Sequence, residues 1–251
     1  MRCVNLLFSL LLATITTASP VASESRKSLH RKDDDFIDYG RRIAAGTCGK
    51  CDLSKAQLPQ APNPLPLPTG SLSHVVIGRG TQNYTCDTSN SSAVPVAVGA
   101  VATLFNVTCL AVESPDLVAR LANIALDLPI PFNVQDDADS PSYYGLSGYH
   151  YFLDGTTAFF NLDTDKHTFG EGAFKKANAT DAPQGSMVGP KNKGNGAVPW
   201  LLLKAYQGYG DFQVYTEVYR VRTAGGSPPK TCAGQKANIQ IQYATEYWFY
   251  S

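Results

Sequence analysis

The most regular hydrophobic pattern in the chain is its last. Over 237–250, Ile239, Ile241, Tyr243, Thr245, Tyr247 and Phe249 occupy alternate positions, the two-residue period of a half-buried strand. Residues 198–206 and 212–222 read as strands too, and Gly225-Gly226 with Pro228-Pro229 mark the loop before the final one. Segments 148–153 and 156–161 face each other across Asp154-Gly155, a dipeptide suited to the positive φ angles of a tight hairpin turn. Upstream, 72–77 suits a short buried strand and 81–86 another. Val94, Val96 and Val98, then Val101, Leu104 and Val107, carry a further stretch interrupted at Gly99 by a bulge or turn. One helix is predicted: Ser114, Pro115 and Asp116 make its start, and Leu117, Val118, Leu121, Ile124 and Ala125 share one face. With no βα alternation and no internal repeat, the pattern predicts an all-β domain, an antiparallel sandwich or barrel with one short helix.

Ahead of this domain the pattern breaks down. Pro59, Pro62, Pro64, Pro66 and Pro68 exclude a helix over 51–68, because proline lacks the N–H and restricts its neighbour, so this lead-in is expected to drape over the domain. Residues 23–42 are charged in blocks, with too few apolar side chains for a core, and are expected to be disordered. Arg41-Arg42 within them is a candidate dibasic processing site that would leave Ile43 first. Arg2, the apolar run Leu6 to Ile15 and the small residues Thr16-Thr17-Ala18 form the pattern of a secretory signal peptide. The run of roughly ten residues is too short to span a bilayer, which takes ~20. The expected organisation is a signal peptide over 1–18, a charged tail or pro-segment over 19–46, and one secreted β-rich domain with a proline-rich lead-in over 47–251.

Composition narrows the partners. Charged residues are 17% of the chain and balance to zero, so no basic field gathers phosphates and nucleic acid is not an expected partner. The thirteen tyrosines crowd into the strand-like segments, which favours sheet. Beyond Cys3 in the signal there remain Cys48, Cys51, Cys86, Cys109 and Cys232. That odd number permits at most two internal disulfides. The Cys48/Cys51 spacing also fits a redox or zinc site, but no second pair or histidine cluster completes one, and structural bridging is the reading. The triplets at Asn83, Asn90, Asn106 and Asn178 are candidate N-glycosylation sites in an exported chain.

Five segments occur in an order that resembles a secreted family of filamentous fungi and bacteria, catalogued as a domain of unknown function. They are Gly78-Arg79-Gly80-Thr81-Gln82-Asn83-Tyr84-Thr85-Cys86, Gly148-Tyr149-His150-Tyr151-Phe152, Val198-Pro199-Trp200-Leu201-Leu202-Leu203-Lys204, Thr223-Ala224-Gly225-Gly226, and Tyr243-Ala244-Thr245-Glu246-Tyr247-Trp248-Phe249-Tyr250. The match runs from about Cys51 to the C-terminus. It implies that Cys51, Cys86, Cys109 and Cys232 are the bridged cysteines, with Cys48 extra, and the pairing read from it is Cys86 with Cys109 and Cys51 with Cys232. Fungal members of that family often carry the label malate dehydrogenase. A nicotinamide site needs Gly-x-Gly-x-x-Gly and an acid about twenty residues on. Here Asn83 stands at the third glycine, strand-like residues follow, and after Asp87 the next acid is Glu113, so no cofactor is expected.

Candidate chemistry is sparse. His150 lies beside an aromatic strand, and Gln82 next to the Gly78-Arg79-Gly80 turn is placed with it in a small pocket. Trp200, Trp248, Tyr143, Tyr144 and Tyr209 are candidate platforms for sugar rings, with core packing the alternative for the two tryptophans. Asp136, Asp137 and Asp139 are an acidic cluster that glycoside hydrolysis could use if two were held apart with split pKa values. His167 with Asp163 and Asp165 could hold a hard cation, although no metal site is expected. No Gly-x-Ser-x-Gly elbow occurs. The reading is a non-enzymatic, secreted β-domain glycoprotein that binds glycan or a cell-wall or host-surface component, with Gln82, His150 and Trp200 as ligand-binding candidates. The alternative is a secreted enzyme acting on polysaccharide or a small metabolite through His150 or one of the clustered aspartates.

Overall fold

The computed structural model describes residues 51–131, 134, 145–206, 208 and 214–251. Its strands β1 (Leu72–Thr85), β2 (Val96–Asn106), β3 (Leu146–Phe152), β4 (Thr157–Asp163), β5 (Thr168–Thr180), β6 (Trp200–Ala205), β7 (Glu217–Gly225) and β8 (Asn238–Tyr250) run antiparallel in chain order. β8 pairs back onto β1, so of the two predicted architectures the chain forms the barrel, and closure leaves no edge strand. The helices α1 (Thr108–Glu113) and α2 (Pro115–Asp127) lie between β2 and β3. α2 is the expected helix, with Ser114 at its N-cap position making no side-chain cap bond and Val118, Leu121, Ala122 and Leu126 buried.

The stretches 72–77 and 81–86 are one strand, not two. Gly78 reads as a break but seats a ring: a Cβ there would lie 2.8 Å from the Tyr247 ring. Gly99, with φ +136°, is a bulge and not a strand end. It shifts the alternation of β2, so that Val96, Val98 and Val101 all face outward and stay exposed. β5 had no predicted counterpart. Its glycines and outward lysines hide the period, and pairing with β4 and β6 on its two sides makes it a strand. At the β3–β4 hairpin, Gly155 does not adopt positive φ. The Asp154 carboxylate makes the turn instead, accepting from the backbone N–H of Thr156 (2.7 Å) and Thr157 (2.8 Å).

The barrel has two cores. Inside, Leu104, Phe160, Leu162, Phe174, Val218 and Phe249 pack together. Outside, Trp200, Tyr219, Val221 and Trp248 are covered by Leu110, Val118 and Leu121 of the helices and by Ala61 and Leu65 of the lead-in. Each such large apolar side chain contributes about 1.5–3 kcal/mol by leaving water. This second layer ends the alternation in β8, whose last eight residues are all buried. The proline-rich lead-in drapes over the barrel as expected. Tyr219 Oη donates to the Pro66 carbonyl (2.8 Å) and Thr69 N–H to Glu217 (2.9 Å).

The four expected cysteines are bridged, but crosswise to the expected pairs: Cys51 joins Cys109, and Cys86 joins Cys232. The reason is strand direction. β2 carries the chain from the Cys86 end of the barrel to the opposite end before Cys109, an eleven-residue strand that rises roughly 35 Å. Cys86 instead lies beside the segment entering β8, where its N–H donates to the Ala237 carbonyl (2.8 Å). The N-terminal segment with Cys48, the cluster Asp136, Asp137 and Asp139, and Tyr143, Tyr144 and Tyr209 lie outside the described residues.

Candidate functional site at one end of the barrel interior

Strand alternation sends a set of polar residues into the barrel near the end where β1 finishes and β8 begins. Gln82 and Tyr84 come from β1, His150 from β3, Arg220 from β7, and Tyr243 and Tyr247 from β8. They form a chain of contacts. Gln82 lies beside the Tyr243 side chain, the Tyr243 and Tyr247 hydroxyls lie 3.1 Å apart, and the Arg220 guanidinium lies beside Tyr247. Arg220 Nη2 donates to the Pro199 carbonyl (2.9 Å). Tyr84 Oη donates to the Gly226 carbonyl (2.8 Å), tying down the segment that Cys86–Cys232 also holds. His150 Nδ1 lies 2.8 Å from the Phe159 carbonyl, and its ring stacks on Phe160 at 4.2 Å.

Two nitrogens in this set, Gln82 Nε2 and Arg220 Nε, are buried without a hydrogen-bond partner. A buried donor left unmade costs about 1–3 kcal/mol, more when charged. Among the described residues no carboxylate pairs with Arg220. Burial lowers the His150 pKa to about 4, with the nearby Arg220 charge adding to the shift, so the ring is neutral. Burial raises the Tyr84 hydroxyl to about 12 and pushes Tyr243 and Tyr247 up as well. The guanidinium is thus the charged member of a cluster that is otherwise neutral at pH 7. Chemically, the arrangement offers donors to an oxygen-rich group and no general base near its usual pKa.

Residues 67–251 match the family described as protein of unknown function, DUF3455. The chain belongs to that family. This agrees with the resemblance carried by its five motifs. No curated protein and no solved structure matches the chain.

In this DUF3455 domain, all five motifs reach the same end of the barrel. They supply Gln82 and Tyr84, His150, the Pro199 carbonyl, the Gly226 carbonyl, and Tyr243 with Tyr247. Of the three residues expected to bind ligand, Gln82 and His150 both face the interior, two strands apart across β2. Trp200 does not join them. It lies on the outer face of β6, 4% exposed, in the core under the lead-in. Trp248 is likewise buried, its Nε1 donating to Glu246 (2.9 Å). Neither tryptophan presents a face to a sugar ring. Arg220 was missed because an arginine amid strand alternation reads as an outward, solvated residue.

Sequence reading also missed a second buried cluster at the opposite end. His74 Nε2 lies 2.5 Å from Ser147 Oγ, and its Nδ1 lies 3.1 Å from Thr108 Oγ1. Ser147 is fully buried and His74 is 4% exposed. Both ring nitrogens are engaged within the fold, and burial lowers the His74 pKa to about 4, with His167 adding to the shift. The pair is a structural tie. Asp163 accepts from the Gly170 N–H (2.6 Å) and His167 stacks on Phe169. No group of three metal-ligating side chains occurs among the described residues. Nor is any helix there long and apolar enough to cross a membrane.

Proposed function

We propose that this protein is a secreted, non-enzymatic binding domain that takes a small, oxygen-rich ligand, a glycan end or a wall or surface component, at the Gln82–Arg220 end of its barrel. The observation that carries this reading is the pair of buried, unpartnered donors, Gln82 Nε2 and Arg220 Nε, in one polar cluster inside a closed barrel. Eight-stranded barrels have room inside for side chains or one small ligand. Export is supported by the signal-like N-terminus and by two disulfides, which persist in oxidising compartments. Asn90, Asn106 and Asn178 are exposed and are the proposed glycan carriers. Asn83, half-buried with its side chain accepting from Thr81 Oγ1 (2.9 Å), is the weakest of the four.

The enzymatic alternative draws less support, because His150 is buried, neutral and held by Phe159, and no described carboxylate pairs with it. Native mass spectrometry of the secreted protein, followed by calorimetric titration with a panel of wall oligosaccharides and their monomers, tests the proposal. A bound species whose affinity falls when Gln82 is replaced by Leu is expected. Binding that ignores Gln82→Leu and Arg220→Gln alike would overturn it, as would sugar release from the oligosaccharides.

A further inference from the structure

Arg220 sits where a buried charge is not expected to survive alone. It is 9% exposed, faces the barrel interior from β7 between Leu201 and Tyr247, donates through Nη2 to the Pro199 carbonyl and lies beside the neutral Tyr247 hydroxyl, while its Nε has no partner among the described residues. The ion pairs of the described residues leave it out: Glu246 pairs with Arg222 and Glu217 with Lys204, and both carboxylates lie on the outer face of the sheet. The side chains that feel its charge are Tyr84, His150, Tyr243 and Tyr247, and all are neutral at pH 7. Buried guanidinium groups are ordinarily matched by a carboxylate or phosphate, because desolvating the charge costs several kcal/mol in the absence of a counter-charge. The unpartnered Nε belongs to the edge of the guanidinium that a carboxylate engages through two parallel bonds. Gln82 Nε2 adds a second open donor, of the kind that completes an oxyanion's coordination.

From this geometry we infer that the group held inside the barrel is a small carboxylate, received by Arg220 Nε and Gln82 Nε2. The inference rests on the binding reading above and deepens it from an oxygen-rich ligand to an anionic one. Two sources carry that chemistry, a simple organic acid and the acid group of a uronic sugar. The Tyr243 and Tyr247 hydroxyls, 3.1 Å from each other, and the His150 ring stacked on Phe160 belong to the same buried cluster.

The test titrates the intact secreted protein at constant ionic strength with acetate, with its neutral isostere acetamide, and with galacturonate against galactose, following heat and near-UV tyrosine signals. Binding of acetate with no binding of acetamide, weakened roughly tenfold to a hundredfold in Arg220→Gln, supports the inference. Tighter binding of galacturonate than acetate assigns the sugar source, and the reverse assigns the simple acid. Equal binding of acetate and acetamide, or of galactose and galacturonate, overturns the carboxylate inference and leaves the binding domain standing. Acetate binding unchanged in Arg220→Gln overturns it as well, and the absence of any binding overturns both readings. Should Arg220→Gln fail to fold, Gln82→Leu and the isosteric pairs on the unaltered protein give the same decision.

Discussion

The barrel buries a histidine cluster at each end, and the two are built on opposite principles. Around His74, Ser147 and Thr108 occupy both ring nitrogens, Phe169 lies 4.6 Å away, and none of the ion pairs among the described residues involves the cluster. Around His150, one ring nitrogen meets a backbone carbonyl, while the neighbouring arginine and glutamine keep donors without an acceptor among the described residues. The first cluster is closed and the second open. A self-satisfied buried network stabilises and specifies the fold, whereas a partly satisfied one costs stability unless something outside the chain completes it. The Ser147–His74 pair, which taken alone looks like a nucleophile and its base, belongs to the closed kind. The end without a suggestive pair is the better site.

The disulfides offer the hardest test of this contrast, since one guards each end. Replacing Cys51 and Cys109 by Ser, or Cys86 and Cys232 by Ser, should cost roughly 2–5 kcal/mol in denaturant unfolding. Ligand affinity should change only for the second pair, which holds the segment carrying Gly226. Equal loss of affinity from both would mean that the ends are not independent.

Acid should destabilise both ends alike. The folded pKa of each histidine, about 4, lies below the ordinary 6.5, so between these values the unfolded chain binds protons that the folded chain refuses. The stability they contribute is complete above pH 6.5 and is lost as pH falls to 4, about 3 kcal/mol for each. Buried Glu246, raised from 4.5 to about 6, works the other way and offsets about 2 kcal/mol over its own window. Urea unfolding at several pH values should show net destabilisation, and His150→Phe should remove about half of the histidine share.

Smaller effects separate the clusters more finely. Ser147→Ala leaves His74 Nε2 unpaired in the closed cluster and should cost about 1–3 kcal/mol by the same unfolding assay. Arg220→Met in the open cluster removes an uncompensated charge with little change in bulk. Its thermal midpoint should equal or exceed that of the parent, because apolar replacement of buried charges is often neutral or stabilising. A drop as large as that of Ser147→Ala would show that the open cluster is structural after all.

Two of the site's residues were legible. Gln82 was grouped with His150 from its place beside Gly78-Arg79-Gly80, and both face the interior, whereas Trp200, named as a platform for sugar rings, faces the other side of the sheet. Parity tells which residues share a face, not which face is inside. Arg222 illustrates the difficulty: an even position like Arg220, it lies with φ +46° at a bulge and so pairs outward with Glu246.

By itself, the sequence determined the local matters: where most strands run, that the fold is antiparallel and all-β, where α2 starts, and which four cysteines are bridged. These follow from periods of two and 3.6 residues, from turn chemistry, and from the family resemblance of the motifs. Only the tertiary structure decided closure of β8 onto β1, the pairing of the disulfides, the strand character of β5, the double burial of β8, and the gathering of Gln82 and Arg220 around the Tyr243–Tyr247 pair. Each depends on residues far apart in the chain, and on how many strands intervene between them. Every added strand reverses direction and exchanges the ends of the barrel, so short-range patterns do not record which distant segments meet.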